Sequence, residues 1–281
     1  MTTPPDLCAV SAPASFTHGL TLAYRSFGHG PEQALAFHGF GRTGEDFAVL
    51  EEALGDRFTI HAFDLPFHGA SPHVKERAVH PFAPQELAAF FTAFADERGS
   101  ERLTVIGYSL GGRIALSLEE SMPGRIARLV LLAPDGLKHR PWYRGIAGLP
   151  LGRQLYGRFV DRPQGVHRVM RLLHGTGLMN DRMFRFLLGQ TDTREKRELV
   201  HDVWLCFRRI EPRPGLVAAH LKQHQSVAHL IFGRHDRVIP PVLGRRLQRR
   251  APQQVTLDVV ETGHVVLIPE VARLLAARLG A

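Results

Sequence analysis

One stretch constrains the fold of this chain more than any other. Residues 103–120 read Leu-Thr-Val-Ile-Gly-Tyr-Ser-Leu-Gly-Gly-Arg-Ile-Ala-Leu-Ser-Leu-Glu-Glu. The β-branched run at the start indicates a short buried strand, and Ile114, Leu116 and Leu118 among small and polar residues indicate a helix. The stretch therefore predicts a strand, a sharp turn and a helix.

The turn carries a motif with chemical meaning, because Gly107-Tyr-Ser-Leu-Gly111 fits the G-x-S-x-G pattern of a nucleophile elbow. Side chains at positions 107 and 111 would collide with the neighbouring strand or helix, which accounts for both glycines. Ser109 must then hold a strained backbone that presents its hydroxyl beside the amides of the next helix. The alternative is a glycine-rich turn with an incidental serine.

Short apolar strands alternate with amphipathic helices along most of the chain. Alternation of this kind requires a mostly parallel sheet with helices on both faces. We therefore predict an α/β fold with eight strands, of which two lie at the edge within residues 7–27 and the others at 34–37, 57–63, 103–106, 126–133, 226–232 and 255–260.

The alternation stops between the strands at 126–133 and 226–232. An interval of roughly ninety residues is too long for an ordinary α/β connection. We predict a core domain of residues 1–136 and 226–281, with residues 137–225 inserted as a helical cap over the carboxyl ends of the strands. The insert has 17 Lys+Arg against 7 Asp+Glu, which indicates either a solvated surface or arginines that bind an anionic substrate group.

Several classes of protein are not favoured by the sequence. It shows no apolar run of about 18 residues and no secretory leader, so we expect a cytoplasmic protein without membrane attachment. Cys8 and Cys206 lie far apart and are expected to be ordinary thiols. Aromatic interleaving is too sparse to indicate nucleic-acid binding. Neither a dinucleotide-binding nor an H-E-x-x-H motif occurs, so we expect no cofactor and no metal.

A serine hydroxyl becomes a nucleophile when a histidine accepts its proton and a carboxylate orients that histidine. Asp236 follows the strand at 226–232, and His264 follows the last strand. Ser, Asp, His is the chain order expected in this architecture. Asp135, which follows the strand at 126–133, is the alternative carboxylate.

With these motifs the chain is identified as a member of the α/β-hydrolase superfamily, which it resembles over residues 15–281 outside the insert. The resemblance implies an α/β-hydrolase fold with a helical lid, and a catalytic triad of Ser109, Asp236 and His264. It also implies an oxyanion hole formed by the backbone N–H groups of Phe40 and Leu110. The matching segments are His38-Gly-Phe40, Asp64-Leu-Pro-Phe-His-Gly-Ala-Ser71, Gly107–Gly112, Gly233-Arg-His-Asp236 and Gly263-His264.

Two enzymatic functions fit this resemblance. The first is a serine hydrolase that cleaves carboxylic esters of small or medium apolar acyl groups through an acyl-enzyme. The second is a carbon–carbon lyase, because residues 38–47 and 107–113 resemble the menaquinone-pathway SHCHC synthases, which act on an anionic small molecule. Tyr108 and Arg113 are the expected substrate contacts. A non-enzymatic binding module is disfavoured, because Ser, Asp and His are all present.

Overall fold

The computed structural model describes residues 13–138 and 143–281, so Cys8 and Trp142 lie outside the described residues. Its centre is one eight-stranded sheet. The strands are β1 (Ala14–Thr17), β2 (Thr21–Phe27), β3 (Glu32–Phe37), β4 (Phe58–Phe63), β5 (Leu103–Tyr108), β6 (Ile126–Leu132), β7 (Val227–Gly233) and β8 (Val255–Val260).

The strands follow the order β1-β2-β4-β3-β5-β6-β7-β8. The pairs β1–β2 and β2–β4 are antiparallel, whereas the pairs from β4 to β8 are parallel. The predicted fold class, a mostly parallel eight-stranded sheet, is therefore confirmed. Because parallel strands end at the same edge of a sheet, the loops after β3, β4, β5, β7 and β8 meet at one edge.

Helices connect most of the parallel strands. A 3₁₀ turn at Gly44–Leu50 leads into the short α1, where one longer helix was predicted. Among the described residues, the α-helices are α1 (Glu51–Leu54), α2 (Pro84–Asp96), α3 (Leu110–Ser121), α4 (Pro150–Asp161), α5 (Gln164–Gly175), α6 (Asp181–Gly189), α7 (Arg194–Cys206), α8 (Pro214–Gln223), α9 (Val242–Arg250) and α10 (Pro269–Leu279).

Both faces of the sheet are covered by apolar side chains. One face packs residues of β5 and β6 against α1 and α10, through Ile106, Val130, Leu132, Leu54, Val271 and Leu275. The opposite face holds a cluster of phenylalanines, in which the Phe91 ring lies 4.8 Å from Phe37 and 5.1 Å from Phe63. Edge-to-face pairs of this kind stabilise a core beyond their burial by about 0.5–1.5 kcal/mol each. The two packed faces hold the strand ends in fixed positions.

The chain divides into two compact units. The first comprises residues 1–72, 84–138 and 211–281, and it contains the whole sheet. The second comprises residues 73–83 and 139–210, which differs from the predicted insert of residues 137–225. The difference at the second boundary arises because α8 belongs to the first unit, where Arg213 donates to Glu120 at the end of α3. The function of the second unit as a cap stays a prediction.

The segment 73–83 joins the second unit through contacts that no local sequence pattern predicts. The Phe82 backbone N–H donates to the Cys206 carbonyl oxygen at 2.9 Å, and the Phe82 ring stacks on Phe207. Arg208 donates to the Ala78 carbonyl oxygen at 2.6 Å. Cys206 itself is a buried free thiol, as predicted. Within the described ranges, no helix is both long and apolar enough to cross a bilayer.

Candidate active site

Ser109 lies in the turn between β5 and α3, with φ 51° and ψ −113°. A positive φ is strained for a residue with a side chain. An added Cβ at Gly107 would lie 2.6 Å from the Gly111 carbonyl oxygen, and one at Gly111 would lie 1.8 Å from the Phe37 carbonyl oxygen. The predicted need for both glycines is confirmed, because α3 and β3 approach the turn too closely for any side chain.

The three side chains predicted to act together are joined by hydrogen bonds. His264 Nε2 lies 2.9 Å from Ser109 Oγ, and His264 Nδ1 lies 2.7 Å from Asp236 Oδ2. Because a carboxylate only accepts, Nδ1 carries the proton and donates it to Asp236. Nε2 of this tautomer is an acceptor, so the Ser109 hydroxyl donates to it. A hydroxyl, an imidazole and a carboxylate in this order can move a proton away from the hydroxyl.

The Asp236 carboxylate is held on both of its oxygens. Its side chain is fully shielded from solvent. Oδ1 accepts backbone N–H groups of Val238 and Ile239 at 2.8 and 2.9 Å, which leaves Oδ2 directed at His264. These bonds form because the chain turns back on itself directly after β7. The orientation of the carboxylate is thus fixed by the backbone.

Asp135, the alternative carboxylate, has other partners. It accepts from the Arg113 guanidinium and, at 2.8 Å, from the Gly136 N–H. Its own backbone N–H donates to the Ser109 carbonyl oxygen at 2.8 Å. Asp135 therefore supports the turn that carries Ser109, whereas Asp236 faces the imidazole.

The two predicted substrate contacts use their polar atoms within the protein. The Tyr108 hydroxyl donates to the His264 carbonyl oxygen at 3.3 Å, and the Tyr108 side chain belongs to the apolar core. Burial raises the pKa of Tyr108 to about 12. Arg113 pairs with Asp135. Tyr108 thus steadies the backbone beside the imidazole and Arg113 steadies the turn, and substrate contact by either stays a prediction.

The loop after β3 passes directly beside Ser109. An added Cβ at Gly39 would lie 3.2 Å from Ser109 Cβ. The His38 carbonyl oxygen accepts the Gly111 N–H at 3.0 Å, which ties this loop to the start of α3. Among the hydrogen bonds of the described residues, none is donated by the backbone N–H of Phe40 or of Leu110. Neither N–H is thus used in these bonds, and the role of the two groups as oxyanion donors stays a prediction.

Two histidines hold this loop, and neither is exposed. His38 Nδ1 donates to the Gly39 carbonyl oxygen at 2.7 Å, and its Nε2 accepts the Leu65 N–H at 2.9 Å. Burial, followed by the neighbouring His68, lowers the pKa of His38 to about 3. His38 is therefore neutral, and it buttresses the loop. His68 accepts the Gly41 N–H at 3.0 Å, a contact that the sequence reasoning missed.

The same loop is braced by the Asp64 carboxylate, which is fully buried. Asp64 accepts the N–H groups of Gly44 at 2.7 Å and of Ala70 at 2.8 Å. Arg25 lies 3.5 Å from it and balances its charge. In the part of the chain that the structure describes, no three His, Cys, Asp or Glu side chains are grouped to hold a metal ion.

The comparisons with known proteins agree on one family. The family model described as "Alpha/beta hydrolase family" matches residues 34–278. An uncharacterized hydrolase of Bacillus subtilis, YugF, is 27% identical over 267 residues, which cover 93% of this chain and 94% of that protein. A pimeloyl-[acyl-carrier protein] methyl ester esterase of Aeromonas hydrophila is 32% identical over 264 residues, covering 89% of this chain and 94% of that protein.

Solved structures share the fold at lower identity. An esterase of Thermogutta terrifontis superposes with a TM-score of 0.67 at 18% identity, over 96% of this chain and 97% of that one. A putative aryl esterase of Burkholderia cenocepacia superposes with a TM-score of 0.63 at 18% identity, over 96% and 98%.

Proposed function

This chain belongs to the alpha/beta hydrolase family, and we propose that it is a serine hydrolase that cleaves carboxylic esters through an acyl-enzyme on Ser109. The observation that carries the proposal is the hydrogen-bonded chain from Ser109 through His264 to Asp236. All three groups lie at the carboxyl ends of β5, β7 and β8, where sheets of this kind bind their ligands.

The reaction would proceed in two balanced steps. Ser109 Oγ attacks the ester carbonyl carbon while its proton passes to His264 Nε2, and the carbonyl oxygen becomes an oxyanion. The imidazolium then gives that proton to the departing alkoxide, which leaves as the alcohol. In the second step His264 takes a proton from water, hydroxide attacks the acyl carbon, and the carboxylic acid leaves as Ser109 recovers its proton.

Two groups would stabilise the charges that appear during each step. The backbone N–H groups of Phe40 and Leu110 would donate to the oxyanion, and one such donor is typically worth about 3–4 kcal/mol of barrier. Asp236 would stabilise the imidazolium at 2.7 Å. Because Oδ1 is already held by the backbone and Oδ2 already faces the imidazole, little reorganisation is needed when the charge forms.

Ester cleavage is favoured over the lyase reaction by two observations. Relatives that align along most of this chain include methyl ester esterases, and a structural neighbour is an esterase. The lyase interpretation assigns Arg113 to the substrate, whereas Arg113 pairs with Asp135 beneath the turn. A carboxylic ester of a small or medium apolar acyl group is therefore the proposed substrate.

Stopped-flow hydrolysis of p-nitrophenyl butyrate tests the proposal. We expect a burst of p-nitrophenol equal to the enzyme concentration, followed by slower turnover, because the activated p-nitrophenyl ester acylates Ser109 faster than water hydrolyses the acyl-enzyme. Ser109→Ala must abolish both phases. A protein without a burst that instead releases pyruvate from the SHCHC synthase substrate would be the lyase, and the proposal would be wrong.

A further inference from the structure

The Phe40 amide lies between two residues whose backbones are each held by a histidine ring. On one side His38 donates to the Gly39 carbonyl oxygen at 2.7 Å, and on the other Gly41 donates to His68 at 3.0 Å. The two rings are 4.9 Å apart at their centroids. The peptide groups that flank Phe40 are therefore fixed by side chains from two loops.

One tautomer of His68 satisfies its contacts with both Gly41 and Pro66. Its Nδ1 donates to the Pro66 carbonyl oxygen at 3.0 Å, so its Nε2 carries no proton and can accept from Gly41. The Phe40 ring meets the His68 ring edge to face at 5.8 Å. His68 is 5% exposed, so water competes little for the Gly41 hydrogen bond.

The backbone of the loop that carries His68 is strained and closely packed. Phe67 has φ 69°, a left-handed value that is costly for a residue with a large side chain. Gly69 packs so closely on Asp64 that an added Cβ would lie 2.1 Å from Oδ2. The Ser71 hydroxyl donates to the Asp64 carbonyl oxygen at 2.6 Å. Strain that is held in place by several bonds marks a functional constraint.

We infer that His68 is a positioning residue for the proposed esterase reaction, which sets the direction of the Phe40 N–H through its hydrogen bond to Gly41. The inference rests on the proposed function, in which Phe40 donates to the oxyanion. It assigns His68 no contact with the substrate and no proton transfer. Its effect is on the transition state, where the oxyanion exists, and not on the binding of the neutral ester.

Two amide substitutions separate this role from mere packing. In His68→Gln the side-chain amide reaches the place of Nε2 and can still accept from Gly41. In His68→Asn it reaches only the place of Nδ1 and keeps the Pro66 contact. Both variants lose the imidazole ring and its contact with Phe40, so their difference isolates the bond to Gly41.

Steady-state kinetics with p-nitrophenyl butyrate on the full chain give the readout. We expect kcat of His68→Asn to fall by about 10- to 100-fold with KM within about twofold, since misplacing a reacting group by 1 Å has effects of this size. His68→Gln should retain kcat within about threefold of the wild type, which a lost packing contact would not explain. His18→Asn, an exposed histidine in the β1–β2 turn, serves as the control and should leave both constants unchanged.

Equal losses of kcat in His68→Asn and His68→Gln would overturn the inference, as would wild-type kcat in His68→Asn. A loss confined to KM would overturn it too. Melting temperatures measured in parallel identify a variant that is merely unfolded, and the Asn–Gln comparison is then made below the lower of the two. Failure of the proposed function is seen separately, in a wild-type protein with no burst, and the inference falls with it.

Discussion

Replacing Asp236 by Asn tests the electrostatic part of the proposed mechanism. The Asn side chain is nearly isosteric, and its carbonyl oxygen can still accept from Val238 and Ile239, which now bind Oδ1 at 2.8 and 2.9 Å. Its NH₂ group then faces His264 Nδ1, where the carboxylate oxygen lies at 2.7 Å in the native chain. Because NH₂ is a donor, Nδ1 must become the acceptor.

The change of tautomer has a direct consequence for Ser109. With the proton on Nε2, the imidazole can no longer accept from the hydroxyl at 2.9 Å. The imidazolium also loses its counter-charge, and at about 4 Å between charge centres that interaction is worth about 4 kcal/mol in a medium of effective dielectric constant 20. This free energy alone lowers a rate by about 10³-fold. With the wrong tautomer added, we expect kcat to fall by about 10³- to 10⁴-fold.

Asp135→Asn is the matched control, because it neutralises a carboxylate at the neighbouring strand end. Its loss of the Arg113 pair should lower the melting temperature, yet kcat should stay within about tenfold of the wild type, since an ion pair of this kind affects mainly stability. Hydrolysis of p-nitrophenyl butyrate and thermal unfolding are measured on both variants. If Asp135→Asn loses as much activity as Asp236→Asn, or Asp236→Asn keeps a tenth of it, the reasoning is wrong.

Two further predictions concern stability. Glu119 is fully buried, its carboxyl group forms no hydrogen bond with the described residues, and burial raises its pKa to about 8. Its stabilising contribution is complete below the ordinary pKa of 4.5 and is lost as pH rises through 8. The free energy of unfolding in urea should therefore decline over this pH range, and Glu119→Gln should remove the decline. The same pH dependence in both proteins would refute this prediction. Gly111→Ala should destabilise by about 3 kcal/mol or more through its clash with Phe37, whereas Gly157→Ala, in open space within α4, should stabilise by about 0.5–1 kcal/mol. Calorimetry measures the melting temperatures of both variants, and equal values would contradict this prediction.

The sheet and the position of Ser109 could be predicted because each depends on local patterns. Apolar strands that alternate with helices allow few topologies, and G-x-S-x-G is imposed by the contacts of Gly107 and Gly111. Asp236 was favoured over Asp135 through the family resemblance and not through a local pattern. Both follow parallel strands at one sheet edge, and the distinction lies in which carboxylate the backbone turns toward His264.

Features that depend on contacts between distant segments were not predicted from the sequence. The boundary after residue 210 differs from the predicted one because α8 packs in the first unit. The contact from His68 to Gly41 joins the loops after β4 and β3. Because β3 and β4 are neighbours in a parallel sheet, the loops that follow them lie at the same edge. The order of these strands could therefore have indicated the contact.

Reaction with a fluorophosphonate tests most directly whether Ser109 is a nucleophile activated by His264, and it needs no assumption about the natural ester. We expect one phosphonyl group per chain, located by peptide mass spectrometry on Ser109, absent from Ser109→Ala and formed far more slowly in His264→Gln. Labelling of another residue, or equal labelling of Ser109→Ala, would contradict it.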